Sequence, residues 1–252
     1  MHTIQKHFYL FNPLKLDILA FAAHPDDVEL ACCGTLLKHI AQGKKVGIVD
    51  LTRGELGTRG TAELRAKEAQ KSSDILGIAY RVNLGMPDGF FENNAENQLK
   101  IMAQLRHTQP TIVLANALQD RHPDHAKAAK LVADACFYSG LLKIKTSYND
   151  QEQTPHRPKA LYHYIQDTHL VPNFVVDISA EFETKIRAIR AFSSQFYDEM
   201  DSSQPETPIS SKTFWDFIQA RGRDFGRSIN VNFAEGFNFS RTVGVSNLFD
   251  LE

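Results

Sequence analysis

Hydrophobic and polar positions form two kinds of segment over the first 140 residues. Compact apolar runs bounded by turn residues predict four buried strands, over residues 16–23, 45–51, 80–84 and 111–115. Longer amphipathic segments between and after them predict helices over residues 32–42, 62–76, 94–108 and 125–138. Strands that alternate with helices in this way predict an α/β fold, a Rossmann-like three-layer α/β/α arrangement with a mostly parallel sheet.

The pattern loosens beyond about residue 145, which predicts a C-terminal elaboration of the same fold. Polar, proline-containing residues predict loops over residues 146–158 and 198–211. Further strands are predicted over residues 160–165, 174–178 and 233–240, and helices over residues 180–196 and 213–226. Because the chain shows no repeat and no clear linker, we expect residues 1–252 to form a single domain.

Composition narrows the classes of partner and compartment. Hydrophobic residues make up 42% of the 252 residues and charged residues 23%, as in ordinary globular proteins, and the net charge is -2. Such a charge does not favour binding to nucleic acid or to an anionic membrane. The apolar runs are too short to span a bilayer, and the first fifteen residues do not resemble a secretory signal. Three cysteines, two of them adjacent, do not suggest a disulfide framework, so we expect a cytoplasmic protein.

Two loops that combine histidine, proline and acidic residues follow strands of the predicted sheet. Residues 23–29 (Ala-His-Pro-Asp-Asp-Val-Glu) follow the first strand, and residues 120–125 (Asp-Arg-His-Pro-Asp-His) follow the fourth. Ligands of open parallel sheets bind outside the carboxyl ends of the strands, so we expect the two loops to face one another there. For either loop alone, helix capping by the acidic residues is an equally good interpretation.

The residues of these loops suit metal-dependent hydrolysis. A catalytic zinc takes three protein ligands, commonly histidine nitrogens and carboxylate oxygens, and keeps one position open for water. Water bound there supplies hydroxide near neutral pH, and a carboxylate outside the ligand set can act as general base. Asp26 and Asp27 are adjacent and could divide the roles of base and ligand.

The two motifs resemble those of the LmbE/PIG-L family of zinc deacetylases. The matching residues are 23–29 and His122-Pro123-Asp124-His125, and the similarity extends through nearly the whole chain. The chain is most similar to the bacillithiol-pathway branch, which deacetylates N-acetylglucosaminyl-malate. Residues 50–60, 84–89, 194–197 and 234–237 point to that branch.

The resemblance implies a metal site and a general base. His24, Asp27 and His125 match the metal ligands of the family, and Asp26 matches the catalytic base. Zinc is the ion implied, although iron(II) would accept the same ligands.

The resemblance also implies three further site residues. His122 matches the histidine that stabilises the oxyanion or protonates the leaving amine, and Asp124 would orient that histidine. Arg65 matches a substrate-binding arginine, which would suit the carboxylates of malate.

The predicted function is therefore removal of the N-acetyl group from an N-acetylglucosamine conjugate, with N-acetylglucosaminyl-malate as the first candidate. A deacetylase of another acetylated sugar, such as a chitooligosaccharide, is an alternative. A remote alternative is a non-catalytic nucleotide-binding module, which would need a Gly-x-Gly-x-x-Gly turn after the first strand. The resemblance also implies a homo-oligomer, a trimer or a hexamer.

Several other residues have two interpretations from the sequence alone. Glu29 could lie in the pocket or interact with the start of its helix. Glu55 and Arg59 lie in a glycine-rich loop after the second strand, where a pocket role and a solvated turn are equally good interpretations. Asp88 belongs to a predicted turn near the same edge, and Tyr197 could reach the substrate.

Overall fold

The computed structural model describes residues 12–196, 205–242 and 244–251, and its centre is a seven-stranded sheet. The strands of this sheet are β1 (Ile18–Ala22), β2 (Val46–Thr52), β3 (Tyr80–Met86), β4 (Ile112–Ala115), β7 (Ala160–Tyr164), β8 (Phe174–Asp177) and β9 (Ala234–Asn238). They lie in the order β3-β2-β1-β4-β7-β9-β8. The first five strands of this order pair in parallel, whereas β9 is antiparallel to both neighbours. The mostly parallel sheet confirms the predicted fold class.

Helices flank this sheet. They are α1 (Asp27–Ala31), α2 (Cys33–Ala41), α3 (Ala62–Leu76), α4 (Ala95–Thr108), α5 (Pro123–Tyr138), α6 (Phe182–Arg190) and α7 (Lys212–Arg227), and a short 3-10 helix covers Leu248–Leu251. None of these described helices combines the length and apolar character needed to cross a membrane.

Strand β1 shows why the sheet is covered on both faces. Its side chains alternate, so Leu19 and Phe21 pack in a core cluster with residues of α4 and α5. Ile18, Ala20 and Ala22 pack in a second cluster with residues of α1 and α2. A strand that is buried on both faces has a continuous apolar sequence, which is the pattern from which β1 was predicted.

The helix predicted over residues 32–42 is confirmed by α2, but the short helix α1 directly before it was not predicted. Helix α1 ends at Ala31, and Cys32, between it and α2, has a non-helical φ of −141°. The carboxylate of Glu235, on β9, accepts hydrogen bonds from the backbone nitrogens of Gly34 and Thr35 at 3.0 and 2.7 Å. This distant cap gives α2 its own N-terminus directly after α1.

Two predictions differ from the structure, and a third lies partly outside the described residues. Residues 146–158, predicted as a loop, contain a short antiparallel hairpin formed by β5 (Ser147–Tyr148) and β6 (Gln151–Glu152). The helix predicted over residues 180–196 is confined to α6, because the following segment turns and its Ser194 bonds Glu68 of α3. The loop predicted over residues 198–211 lies partly outside the described residues, as does Tyr197.

The strand order places a crevice beside β1. Strands β2 and β3 lie on one side of β1, and β4 lies on the other. At such a reversal the loops that leave neighbouring carboxyl ends diverge, and this is where open α/β sheets bind ligands. The loops after β1 and β4 are the two that carry the histidine motifs.

Candidate metal and active site

The loop after β1 is held in an unusual backbone conformation. Asp26 has a φ of 127°, in the region that favours glycine. It lies between the end of β1 and the first residue of α1, Asp27, and the backbone nitrogen of His24 donates to the Asp27 carboxylate at 2.9 Å. A strained conformation of this kind persists only where its surroundings hold it, and functional sites are where such residues cluster.

The structure brings His24, Asp27 and His125 together. One carboxylate oxygen of Asp27 lies 3.2 Å from Nε2 of His125, and the other lies 3.7 Å from Nδ1 of His24. Ligands around a tetrahedral zinc lie roughly 3.3–3.5 Å apart. The two separations, measured to different oxygens of Asp27, are close to that range, and the donors are of the types that zinc binds. All three residues are buried.

Carboxylates also support the outer sides of both imidazoles. Nε2 of His24 lies 3.1 Å from Asp88 and 3.3 Å from Asp124, and Nδ1 of His125 lies 2.5 Å from Asp120. When these outer nitrogens carry the proton, the remaining nitrogen of each ring presents a lone pair on the side of Asp27. Metal-binding histidines in proteins are usually oriented by such an outer acceptor.

These contacts dominate the ionisation of both histidines. Burial lowers the pKa of His125, but Asp27 and Asp120 outweigh it and raise the pKa to about 9. Burial likewise opposes the charged form of His24, whose pKa is nevertheless raised well above its usual range by Asp124, Asp27 and Asp88. The carboxylates that stabilise a proton on these two imidazoles would equally stabilise a metal cation in place of that proton.

Asp27 is fixed by two amides that sequence reasoning missed. Asn116 donates to one of its oxygens at 2.9 Å, and Gln166 donates to the other at 2.6 Å. Asn116 follows β4 and Gln166 follows β7, so both lie at the edge where the predicted sheet gathers its ligands. Polar residues directly after buried strands were the available signal for them. For Asp120 the signal was its place five residues before His125 in the second motif.

His122 offers a second possible set of ligands. Ring nitrogens of His24, His122 and His125 all lie within 4.8 Å of one another. The His122 ring is 4.6 Å from that of His24 and 5.1 Å from that of His125, measured between centroids. The two sets share His24 and His125 and differ in whether Asp27 or His122 completes them.

Asp124 lies elsewhere than the prediction supposed. Its carboxylate contacts His24 instead of His122, and it also accepts a hydrogen bond from the backbone nitrogen of Gly89 and pairs with Lys127. The contact to His122 runs through the backbone, where the Asp124 nitrogen donates to Nδ1 at 3.3 Å. The physical reason is that Asp124 lies in the first turn of α5 and its carboxylate faces the loop after β3.

Asp26 is buried and paired with Arg65. A terminal nitrogen of Arg65 donates to the Asp26 carboxylate at 2.6 Å, and both side chains are less than a tenth exposed. Burial nevertheless raises the pKa of Asp26 to about 6, against the lowering effect of Arg65. A carboxylate with such a pKa can both accept and return a proton near neutral pH.

A cavity of about 310 Å³ opens onto these residues. Seven of its lining residues are candidates from the sequence, namely His24, Asp26, Asp27, Arg59, Arg65, His122 and His125. Asp88 also lines it, which places that residue in the pocket as well as in a turn. Glu55 does not line the cavity but holds Asp88 in place, because its carboxylate accepts a hydrogen bond from the backbone nitrogen of Asp88 at 3.0 Å.

Glu29 and the neighbouring cysteines Cys32 and Cys33 are buried in the protein interior and do not line the cavity. Glu29 pairs with Arg81 at 2.7 Å and accepts a hydrogen bond from Ser72 at 2.8 Å, so it joins α1 to β3 and α3. Cys32 and Cys33 are free and buried, and burial raises the pKa of both thiols well above their usual range. Since only the thiolate is a good zinc ligand, this burial disfavours metal binding by either cysteine.

Comparison with known proteins agrees with the motifs. The family described as PIG-L, GlcNAc-PI de-N-acetylase, matches residues 19–136. The diacetylchitobiose deacetylase of Thermococcus kodakarensis is 30% identical over 240 residues, which cover 91% of this chain and 84% of that protein. A probable N-acetyl-α-D-glucosaminyl L-malate deacetylase of Bacillus anthracis matches less of the chain, with 28% identity over 131 residues, 47% of this chain and 58% of that protein.

Two solved structures have a similar fold over most of this chain. The conserved protein TT1542 from Thermus thermophilus has a TM-score of 0.80 and 38% identity, covering 92% of this chain and 98% of its own. An N,N'-diacetylchitobiose deacetylase from Pyrococcus horikoshii, in complex with an inhibitor, has a TM-score of 0.72 and 27% identity, covering 88% of this chain and 82% of its own.

Proposed function

Because this chain belongs to the PIG-L family of deacetylases, we propose that it hydrolyses the N-acetyl group of an N-acetylglucosamine conjugate at a metal held by His24, Asp27 and His125. The observation that carries the proposal is the convergence of two separate loops. They bring both histidines to one carboxylate, with a second carboxylate, Asp26, on the same cavity.

The chemistry of the donors favours zinc as the ion. Two imidazoles and one carboxylate are a common catalytic zinc set, although iron(II) accepts the same donors. Such an ion, when bound, polarises a carbonyl oxygen and makes water acidic enough to attack near neutral pH.

The protein residues would share the remaining steps. Asp26 takes the proton of the attacking water, and Arg65 holds Asp26 in place through their ion pair. His122, on the wall of the same cavity, stabilises the oxyanion that forms on the acetyl oxygen, or passes to the amine the proton that Asp26 has taken. Cleavage of the C–N bond gives acetate and a free amino sugar, and Asp124 and Asp88 hold the ring of His24 throughout.

Two sugar conjugates are the candidate substrates. The match to a diacetylchitobiose deacetylase over 91% of the chain favours a chitooligosaccharide. Arginines on the cavity wall favour an anionic conjugate such as N-acetylglucosaminyl-malate. We propose the anionic conjugate first and the chitooligosaccharide second.

A metal analysis combined with an acetate-release assay tests the proposed function. We expect about one zinc per chain, release of acetate from at least one N-acetylglucosaminide, and loss of this activity on chelation with recovery on adding Zn²⁺. Asp26→Asn should keep the metal and lower kcat by about 10²–10⁴-fold, as for other general bases. Full activity of that variant would exclude Asp26 as the base, and a metal-free protein that still releases acetate would exclude the metal mechanism.

Location and assembly form part of the same proposal. All three cysteines are free, which supports a reducing compartment and hence the cytoplasm. A trimer or hexamer remains the proposed assembly, and light scattering of the purified protein measures it directly. The remote alternative, a nucleotide-binding module, is disfavoured because His-Pro-Asp-Asp occupies the turn that would need the glycines.

A further inference from the structure

Four arginines border the cavity, and carboxylates neutralise two of them. Arg65 pairs with Asp26 at 2.6 Å, and Arg121 pairs with Asp167. Carboxylates of the protein therefore largely neutralise the positive charges of both arginines. The other two, Arg59 and Arg221, form no ion pair with any carboxylate of the described residues.

Arg59 is held with unused hydrogen-bonding capacity. It is 6% exposed, and its Nε donates to the backbone oxygen of Ser194 at 3.0 Å. Its terminal nitrogen Nη2 is buried without a hydrogen-bond partner among the described residues. Gln195 fixes the same residue from its backbone side by donating to the Arg59 oxygen at 2.8 Å. The side chain is thus fixed in place while part of its guanidinium remains unsatisfied.

Arg221 approaches the cavity from α7, in the C-terminal part of the chain. A terminal nitrogen donates to the backbone oxygen of Leu30 at 2.9 Å, and the guanidinium lies 5.2 Å from the centre of the Phe217 ring. Burial lowers the pKa of Arg221 to about 10, against the raising effect of more distant carboxylates. It remains a cation at neutral pH, and these direct contacts are with neutral groups.

Arg59 is buried and Arg221 is partly buried. A guanidinium withdrawn from water without a carboxylate is unfavourable unless a ligand supplies the missing charge. Guanidinium groups bind carboxylate and phosphate oxygens through paired, charge-assisted hydrogen bonds. We propose that Arg59 and Arg221 bind an oxyanion on the group attached to the sugar, so that the substrate is an N-acetylglucosaminide with a carboxylate or phosphate in that group. The substrate part of this inference rests on the proposed deacetylase function.

The same observations separate this subsite from the arginine predicted by resemblance. Arg65 already pairs with the Asp26 carboxylate at 2.6 Å. If Arg65 moved away to bind a substrate anion, Asp26 would be buried without its partner. Binding of a substrate anion by Arg65 would compete with Asp26. Arg59 and Arg221 bind an anion without breaking an existing ion pair.

Substrate discrimination tests the inference. The specificity constant kcat/KM is measured for N-acetylglucosaminyl-malate, its neutral dimethyl ester, N-acetylglucosamine 1-phosphate and N,N'-diacetylchitobiose. We expect the wild-type protein to prefer one of the two anions over the neutral pair by at least tenfold, and the preferred anion identifies carboxylate or phosphate. Arg59→Gln and Arg221→Gln should each reduce this preference by tenfold or more. Arg187→Gln, on the exposed face of α6, should leave it unchanged.

A binding measurement separates this inference from the proposed function. Thermal stabilisation of the metal-loaded protein by L-malate and by inorganic phosphate is compared between the wild type and the two variants. Stabilisation that depends on both arginines supports the anion subsite, and it does so even if no glucosaminide is deacetylated, a result that would overturn only the proposed function. Equal kcat/KM for the malate conjugate and its ester, or equal losses on charged and neutral substrates in both variants, would overturn the inference.

Discussion

Nδ1 of His125 lies 2.5 Å from the carboxylate of Asp120, five residues earlier in the chain. Asp120 also accepts hydrogen bonds from the backbone nitrogens of Asp167 and Thr168, at 3.2 and 2.7 Å. Against the effect of burial, His125 and the backbone nitrogens of Thr168 and Arg121 lower the pKa of Asp120 to about 2. An ionised carboxylate held in this way fixes which nitrogen of His125 carries the proton.

Removal of that charge should weaken metal binding. We expect Asp120→Asn to lower zinc affinity by about 10–100-fold, as outer-shell substitutions do in other zinc sites. Competition with a chromogenic chelator measures this affinity. Asp134→Asn, on α5 beyond His125, is the matched control, because Asp134 contacts Lys130 and Asn93 instead of the site. Equal zinc affinity in the two variants would show that Asp120 does not support metal binding.

The choice between Asp27 and His122 as third ligand is open to direct measurement. The Asp27 carboxylate oxygens lie 3.7 Å from Nδ1 of His24 and 3.2 Å from Nε2 of His125. The His122 ring lies farther from the same two residues, at 4.6 and 5.1 Å between ring centroids. We expect Asp27→Ala to lose bound zinc. His122→Ala should retain one zinc per chain and lose about 10²–10³-fold in kcat, the effect of removing an oxyanion donor. Zinc loss in the His122 variant with retention in the Asp27 variant would reverse the assignment.

Gly54 is a sensitive point of the loop that supports Arg65. Its φ is +66°, and a Cβ atom there would lie 2.0 Å from a terminal nitrogen of Arg65. Gly54→Ala should therefore push Arg65 away from Asp26 and lower kcat/KM by about tenfold or more, because a small misplacement in an active site is costly. The measurement is steady-state kinetics with metal content checked.

Gly43→Ala provides the matched control for this substitution. Gly43 also has a positive φ, +81°, but no atom lies within 4 Å of its added Cβ among the residues that the structure describes. We expect this variant to lose about 1–2 kcal/mol of stability from backbone strain and to keep its activity. Similar kinetic losses in both variants would mean that backbone strain, and not displacement of Arg65, explains the effect.

The sequence predicted the parts of the fold that depend on local pattern. The strand at Ile18–Ala22 is buried on both faces, and such burial produces an uninterrupted apolar run in the sequence. The motifs of the site were recognisable for a related reason, since His24 follows β1 directly and His125 lies in the first turn of the helix after β4. The carboxyl edge of a parallel sheet then gathers them, whatever the length of chain between them.

Contacts between distant segments could not be predicted in this way. Glu235 caps the start of α2 from about 200 residues away, and no local signal in the sequence indicates that contact. The contact of Asp124 with His24 depends on how α5 meets the loops after β1 and β3, so its proximity to His122 in sequence was misleading. The ion pair between Arg65 and Asp26 also joins separate segments of the chain, so the sequence pattern did not indicate it.

The Lys185–Glu235 ion pair leads to a prediction on stability. Its two side chains are 4% and 3% exposed and lie 2.6 Å apart, and Lys185 also donates to the backbone oxygen of Leu30 near the end of α1. Lys185→Met would leave Glu235 buried without its cation. We expect a loss of about 3–5 kcal/mol in the free energy of unfolding, measured by urea denaturation.

Two further variants separate this pair from charge effects in general. Adding Glu235→Gln to Lys185→Met should recover part of the lost stability, because a neutral amide costs less to bury than an unpaired carboxylate and can still accept from the start of α2. Lys145→Met breaks the exposed pair with Glu152, whose side chains are 64% and 65% exposed, and should cost less than about 1 kcal/mol. If Lys185→Met costs no more than Lys145→Met, the buried pair does not hold the junction of α1 and α2. The placement of Asp27 at the start of α1 would then rest on its contacts with Asn116 and Gln166.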